Sequence, residues 1–204
     1  MNIIAIDDRK DLFQIKDVIS NETMDKLSKV ELEDISWTKQ EWQEHWKRRK
    51  LHVAPDSIFE QIEKEINSQS KLIGAVIGRT INNISVNFWL DLPGFTVTPH
   101  IDNPLVDNAL QLYLKDCNNA GTVFYNIEKD EIETRDDAQR WHYITKSDPR
   151  KTQKQNCNIS LRHTFDCVKN TGYIMLNNKL QLHGVPTTLG KDDLRLSAYC
   201  YCGQ

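Results

Sequence analysis

The period of the hydrophobic positions changes once along this chain. In the first 80 residues it is helical. Met24, Leu27 and Val30 follow the capping candidates Asn21, Glu22 and Thr23, and Ile58, Phe59, Ile62 and Ile66 form a stripe that Asp56 or Ser57 can cap after Pro55. Residues 38–50 carry helix formers throughout, with Trp42 and Trp46 spaced i,i+4. At that spacing Trp37, Trp42 and Trp46 read as core aromatics, and the cations Lys47 to Lys50 complement the end of a helix rather than mark a nucleic-acid patch. The pattern predicts a helical layer over residues 1–80.

From residue 82 the period becomes 2. Ile84, Val86, Phe88 and Leu90 alternate with Ser85, Asn87, Trp89 and Asp91. Leu110, Leu112 and Leu114 alternate with Gln111 and Tyr113, and Leu196, Ala198 and Cys200 with Arg195, Ser197, Tyr199 and Tyr201. Such alternation predicts strands with one apolar face. Shorter strand candidates cover 95–101, 122–126, 159–166, 172–177 and 180–185, with turn signals at Pro93–Gly94 and Leu189–Gly190. The other face, with Asn87, Trp89, Gln111, Tyr113, Arg195, Ser197, Tyr199 and Tyr201, suits the lining of a wet cavity better than a core. Residues 127–157 interrupt the rhythm as an insertion, acidic and then basic around Trp141, His142 and Tyr143, and read either as a solvated loop or as a lid. The expected architecture is mainly β with α: one domain over 1–204, with a helical buttress at 1–80 and a sandwich or barrel at 82–202.

Composition narrows the function. The 204 residues, 39% hydrophobic and 27% charged, are enough for a core without staples. Twenty-six Lys+Arg against 29 Asp+Glu give a formal charge of −3, too balanced for a dedicated nucleic-acid binder. No apolar run is long enough to cross a bilayer, and the acidic start lacks the pattern of a secretory signal. Five Cys at 117, 157, 167, 200 and 202, with no CxxC pair, point to a reducing, cytoplasmic setting; Cys200 and Cys202 read as small hydrophobes. The sequence is silent on oligomeric state.

Candidate chemistry centres on His100–Ile101–Asp102, the one His-x-Asp in the chain. Chance alone supplies about half such a triplet at this composition, so its context decides. On a strand, positions i and i+2 share a face, and His183 lies in a second strand-like segment. Two His and one carboxylate leave open positions on a metal, the ligand set of non-haem Fe(II) oxygenases. A hairpin between 180–185 and 194–201 would set His183 opposite Arg195, with Ser197 beside it as a cradle for a carboxylate. Arg162 is the rival anchor, on a face with Ser160, Thr164 and Asp166; His163, on the opposite face, reads as a buried, satisfied His. His45, His52 and His142 have no convergent partners.

His100-x-Asp102, the distal His183 and Arg195-x-Ser197, in that order on a strand-rich C-terminal half, resemble the Fe(II)/2-oxoglutarate-dependent oxygenase superfamily, and its prolyl-hydroxylase-like members in particular. LQLYLK followed by GTVFY is similar to that family's strand pair after the first two ligands, with Tyr113 where such members touch 2-oxoglutarate. The 80-residue separation of Asp102 from His183 is longer than is common, and the insertion accounts for it. The resemblance implies a double-stranded β-helix (a jelly-roll or cupin-like barrel), with Fe(II) on His100, Asp102 and His183, and 2-oxoglutarate held by Arg195, Ser197, Tyr113, Asn87 and Gln111. It further implies O2 as co-reactant, with succinate and CO2 released as an aliphatic C–H is hydroxylated. The carboxylate at Asp102 disfavours halogenation. The substrate it implies is a prolyl or other side chain of a peptide or protein, or else a free amino acid or small metabolite. A non-catalytic, metal-binding or 2-oxoglutarate-sensing cupin-like module is the reading from another class.

Overall fold

The computed structural model describes residues 1–38, 47–102, 108–118, 120–127, 159–176 and 181–203. Within them lie twelve strands and three α-helices. The helices are α1 (Asn21–Leu27), α2 (Ile58–Ser68) and α3 (Ser70–Ile77). An eight-stranded antiparallel sheet runs in the order β1 (Asn2–Ala5), β2 (Leu12–Lys16), β10 (Thr171–Leu176), β7 (Asn108–Tyr113), β12 (Arg195–Gly203), β5 (Asn83–Asp91), β4 (Arg48–Leu51) and β3 (Trp37–Thr38). A four-stranded antiparallel sheet runs β6 (Val97–His100), β11 (Leu182–Val185), β8 (Thr122–Ile127) and β9 (Ile159–Phe165). Among the described residues neither sheet closes on itself.

The alternation in the sequence sorts the large sheet's two faces. Ile84, Phe88, Leu90, Leu110, Leu112, Leu196, Ala198, Cys200 and Cys202 pack in one cluster with Phe59, Ile62 and Ile66 of α2 and Ile73 and Ile77 of α3. Ile62, Ile66 and Ile73 are fully buried, each worth about 1.5–3 kcal/mol of apolar burial. A second cluster, with Leu12, Tyr113, Tyr173 and Met175 from the large sheet and Val97, Phe124, Phe165 and Val185 from the small one, fills the space between the sheets.

Local chemistry sets the helix ends. Ser20 has extended backbone and its hydroxyl accepts from Thr23 N, so it caps α1 in place of the residues at 21–23. Ser57 caps α2 by accepting from Glu60 N, and Gly78 ends α3 in the left-handed region at φ 69°.

The first 80 residues depart from the all-helical expectation by contributing four strands. β2 pairs with β10, and β1 extends the sheet from it. Arg48 to Leu51, rich in helix formers, form β4 because β5 offers it a ladder, with Arg48 opposite Asp91. Pairing and an ion pair override a modest intrinsic preference. Trp37 lies in β3, where its indole N–H donates to the Leu32 carbonyl at 2.8 Å and its ring meets Phe59 edge-on. Trp42, Trp46, His45, His142 and the insertion beyond Ile127 lie outside the described residues. Among the described residues no helix is long and apolar enough to cross a membrane.

Candidate metal centre

His100 ends β6 and His183 sits in β11 directly opposite it, so the two imidazoles form a cross-strand pair with centroids 4.6 Å apart. Asp102, two residues on from His100, turns its carboxylate back to the same point. Its Oδ1 lies 3.4 Å from His100 Nε2 and its Oδ2 3.8 Å from His183 Nε2. One ligand atom from each of the three residues falls within 4.8 Å of the others, an arrangement that could hold a divalent metal ion.

Neighbours prepare each donor. His183 Nδ1 is 3.0 Å from the Gln181 carbonyl, which can only accept; Nδ1 therefore carries the proton and Nε2 presents its lone pair inward. The His183 ring stacks on Phe124 at 5.2 Å. Burial pushes its pKa down to about 4, against the pull of Asp102, which keeps it neutral near pH 7. Burial opposes ionisation of Asp102 too, yet His183, His100 and the Tyr199 hydroxyl hold its carboxyl well below the usual range. Tyr199 donates its hydroxyl to Asp102 Oδ2, and burial raises its own pKa so that the proton stays.

Along β12 the same face runs from Tyr199 through Ser197 to Arg195. Successive members stand about 6.5–7 Å apart. Arg195 is 2% exposed. Its Nε donates to Asp91 Oδ2 at 2.8 Å and its Nη1 to the Ala120 carbonyl at 2.8 Å. A guanidinium has five N–H donors, so three are without a partner among the described residues. Among the described residues Ser197 Oγ and Gln111 Nε2 are buried without a hydrogen-bond partner. Orphaned donors of this kind are costly in a dry core and are explained by a polar ligand between them. Tyr113 walls the same region 5.9 Å from Arg195 Cζ, but its hydroxyl already accepts from Thr122 N at 3.1 Å and donates to Thr122 Oγ1 at 2.8 Å. Burial raises it to about 12. Asn87 sits half-buried opposite Tyr199, one register step from this group.

Three expectations change. Strands β11 and β12 do not form a hairpin: they lie in different sheets, and the connection is pinned by Gly94 N to Leu189 O and Leu189 N to Phe95 O, both 3.0 Å. His183 therefore faces the β12 residues across the sandwich. The segments containing Tyr113 and Thr122 likewise lie in opposite sheets, joined by the hydroxyl pair. Third, a bulge shifts the β8–β9 register so that Phe124 pairs with His163 and Tyr125 with Leu161, leaving Arg162 between them. The extra residue reverses the alternation. Leu161 is 66% exposed and His163 half-buried, while the Arg162 side chain is 3% exposed. Arg162 is spent on the N-terminal loop: Nε to Asp7 Oδ2 at 2.9 Å, Nη2 to Asp11, and Nη1 to Gln181 Oε1 at 3.2 Å. This contact holds Asp7 down to about 2.

The sequence alone gives no site role to Asp91, Arg48 or Gln181 and places Tyr199 only on the face that suits a cavity lining. Asp91 had a signal, since it continues the Asn87–Trp89 face and meets Arg195 in register. Gln181 had none, because its role is played by a main-chain carbonyl.

No protein-family model matches the sequence, and no curated protein matches it with significance. Solved structures do resemble the fold. A prolyl-4-hydroxylase from Pseudomonas putida aligns with TM-score 0.59 at 13% identity over 98% of this chain and 97% of its own. HygX from Streptomyces hygroscopicus with nickel, 2-oxoglutarate and hygromycin B bound aligns with TM-score 0.55 at 13% identity, over 95% and 83%. A prolyl hydroxylase from Trichoplax adhaerens, in complex with a hypoxia inducible factor peptide fragment, aligns with TM-score 0.55 at 11% identity, over 94% and 83%. The chain has the fold these proteins share, mostly β sheet with a few helices.

Proposed function

We propose that this protein is an Fe(II)- and 2-oxoglutarate-dependent oxygenase that hydroxylates an aliphatic C–H, built as a single domain on a double-stranded β-helix. One observation carries the reading: a His–Asp–His cluster and a buried guanidinium, three of whose N–H groups have no partner among the described residues, share the space between the sheets, with the orphaned Ser197 hydroxyl two residues from Arg195 and the orphaned Gln111 amide opposite Tyr199. A borderline divalent ion such as Fe(II) suits two imidazoles and a carboxylate. A dicarboxylic keto acid suits the rest, one end at the metal and the other on Arg195 and Ser197.

His100, Asp102 and His183 would hold the iron. Arg195 and Ser197 would take the distal carboxylate, Gln111 would donate along its length, and Tyr113 and Asn87 would wall the cavity. When bound, iron with 2-oxoglutarate and O2 supplies oxidative decarboxylation to succinate and CO2 coupled to hydroxylation. The chain's own part is to orient and to exclude water. Gln181 fixes the His183 tautomer, Tyr199 holds Asp102 in place, and Phe124 and Tyr173 shut the back of the site against solvent.

The substrate we propose is a side chain of a peptide or protein, supported by the prolyl hydroxylases among the structural neighbours. The hygromycin complex makes a small-molecule substrate the competing choice. The test is an anaerobic titration of purified protein with Fe(II) and then 2-oxoglutarate, following the visible charge-transfer band of the chelate. A band saturating near one equivalent, absent in His183→Ala and requiring far more 2-oxoglutarate in Arg195→Gln, bears the reading out. Iron uptake without a band points instead to a non-catalytic metal-binding module. With the band in hand, succinate release on peptide and small-molecule panels separates the substrates.

A further inference from the structure

The anchor at Arg195 is not a lone cation. Asp91 is 0% exposed and accepts from two guanidinium groups at once: Arg195 Nε at 2.8 Å on Oδ2, and Arg48 through Nη2 at 3.0 Å on Oδ2 and Nε on Oδ1. The turn at Leu92–Pro93–Gly94–Phe95, closed by Phe95 N to Leu92 O at 2.9 Å with Gly94 at φ 86°, brings the Phe95 ring beneath both cations. Arg48 Cζ stands 4.6 Å and Arg195 Cζ 5.1 Å from its centroid. Arg48 also lies 5.2 Å over Trp89.

The charge count matters. Asp91 and Arg195 alone form a buried neutral pair, which attracts an incoming carboxylate only weakly. Arg48 brings the cluster to +1. It enters from β4 on the far side of Asp91, with 21% of its side chain exposed, while the three N–H groups without a partner among the described residues belong to Arg195. In a buried site a unit charge one shared carboxylate away is felt strongly.

We infer that Arg48 is a positioning residue for the anionic cosubstrate: it offsets Asp91 and so leaves the charge of Arg195 available for a carboxylate, without touching that carboxylate itself. This rests on the oxygenase reading above. It assigns a role to a residue of the N-terminal segment, outside the strand-rich half that carries the resemblance.

The test measures 2-oxoglutarate affinity by calorimetry and by the anaerobic chelate band, in four variants that span the charge states. Arg48→Gln, a neutral cluster, is expected to bind about tenfold more weakly than wild type. Arg48→Lys, which keeps the charge, stays within about threefold. Asp91→Asn binds at least as tightly as wild type. The double variant Arg48→Gln/Asp91→Asn, again at +1, returns to within about threefold. Metal uptake alone, read with Co(II), is unchanged throughout, which excludes general damage to the site. Equal affinity in wild type and Arg48→Gln overturns the inference alone. A double variant as weak as Arg48→Gln overturns it as well, since packing rather than charge is then responsible. If the wild type takes up metal but no 2-oxoglutarate, the oxygenase reading falls and this inference with it.

Discussion

Replacing Asp91 by alanine is the sharpest test of how the two guanidinium groups are held. Its carboxylate is fully buried and accepts three N–H groups, two from Arg48 and one from Arg195. Arg48 can turn toward water once released, since its side chain is 21% exposed. Arg195 is 2% exposed, with the Ala120 carbonyl its one other hydrogen-bond partner among the described residues, and cannot follow. The variant therefore leaves a buried charge without its counter-ion, a loss of about 3–5 kcal/mol. That is a large share of a net stability of about 5–15 kcal/mol. Asp91→Asn keeps the volume and one acceptor and is expected to lose about 2 kcal/mol. Urea unfolding at pH 7 reads both, as a lower midpoint at unchanged slope. Glu22→Ala, which breaks an exposed pair with Lys26, serves as the control and should leave the urea midpoint where it is in wild type. A loss below about 1 kcal/mol for Asp91→Ala would mean that water reaches Arg195, and the argument for a desolvated anchor would be refuted.

Tyr199→Phe removes the hydroxyl that steadies Asp102; Co(II) or Fe(II) affinity should fall about 10- to 100-fold while the unfolding midpoint barely moves. Gly172 has no room for a side chain, because a Cβ there would stand 1.9 Å from the Gln111 carbonyl oxygen. Gly172→Ala must push β10 off β7, and thermal unfolding should report a loss of about 2–4 kcal/mol, with weaker 2-oxoglutarate binding because Gln111 moves. Asp7 titrates at about 2 in the folded chain against an ordinary 3.8, so its contribution is complete above the unfolded value and fades as pH falls from about 4 toward 2. Urea midpoints measured across that window should drop more steeply in wild type than in Asp7→Asn; parallel curves would place the acid sensitivity elsewhere.

Much of the architecture was legible because it depends on local period. Alternation at 84–90, 110–114 and 194–200 marked the face that packs on α2 and α3, and it marked Cys200 and Cys202 as core. The i,i+2 spacing aimed His100 and Asp102 at one point, which the structure keeps although β6 ends at His100, and their meeting with His183 needed only a strand at 182–185. Such inferences hold because side-chain direction within a strand is a property of the backbone alone.

The rest belonged to pairings between distant segments. Residues 48–51 have the composition of a helix and become a strand because β5 presents a ladder and Asp91 a counter-charge. One bulged residue in β9 turned Arg162 from an anchor candidate into a clamp on Asp7 and Asp11, and a single-residue slip of that kind leaves no mark on composition. The separation of β11 from β12 into two sheets decided that His183 and Arg195 belong to different sheets rather than to one hairpin. Local period assigned the faces of β5, β7 and β12 and brought the candidate donors to one side of each. Only the tertiary structure decided which faces meet, because hydrogen-bonded partners in a sheet are chosen by the whole chain's competition to bury its apolar surface and satisfy its polar groups at once.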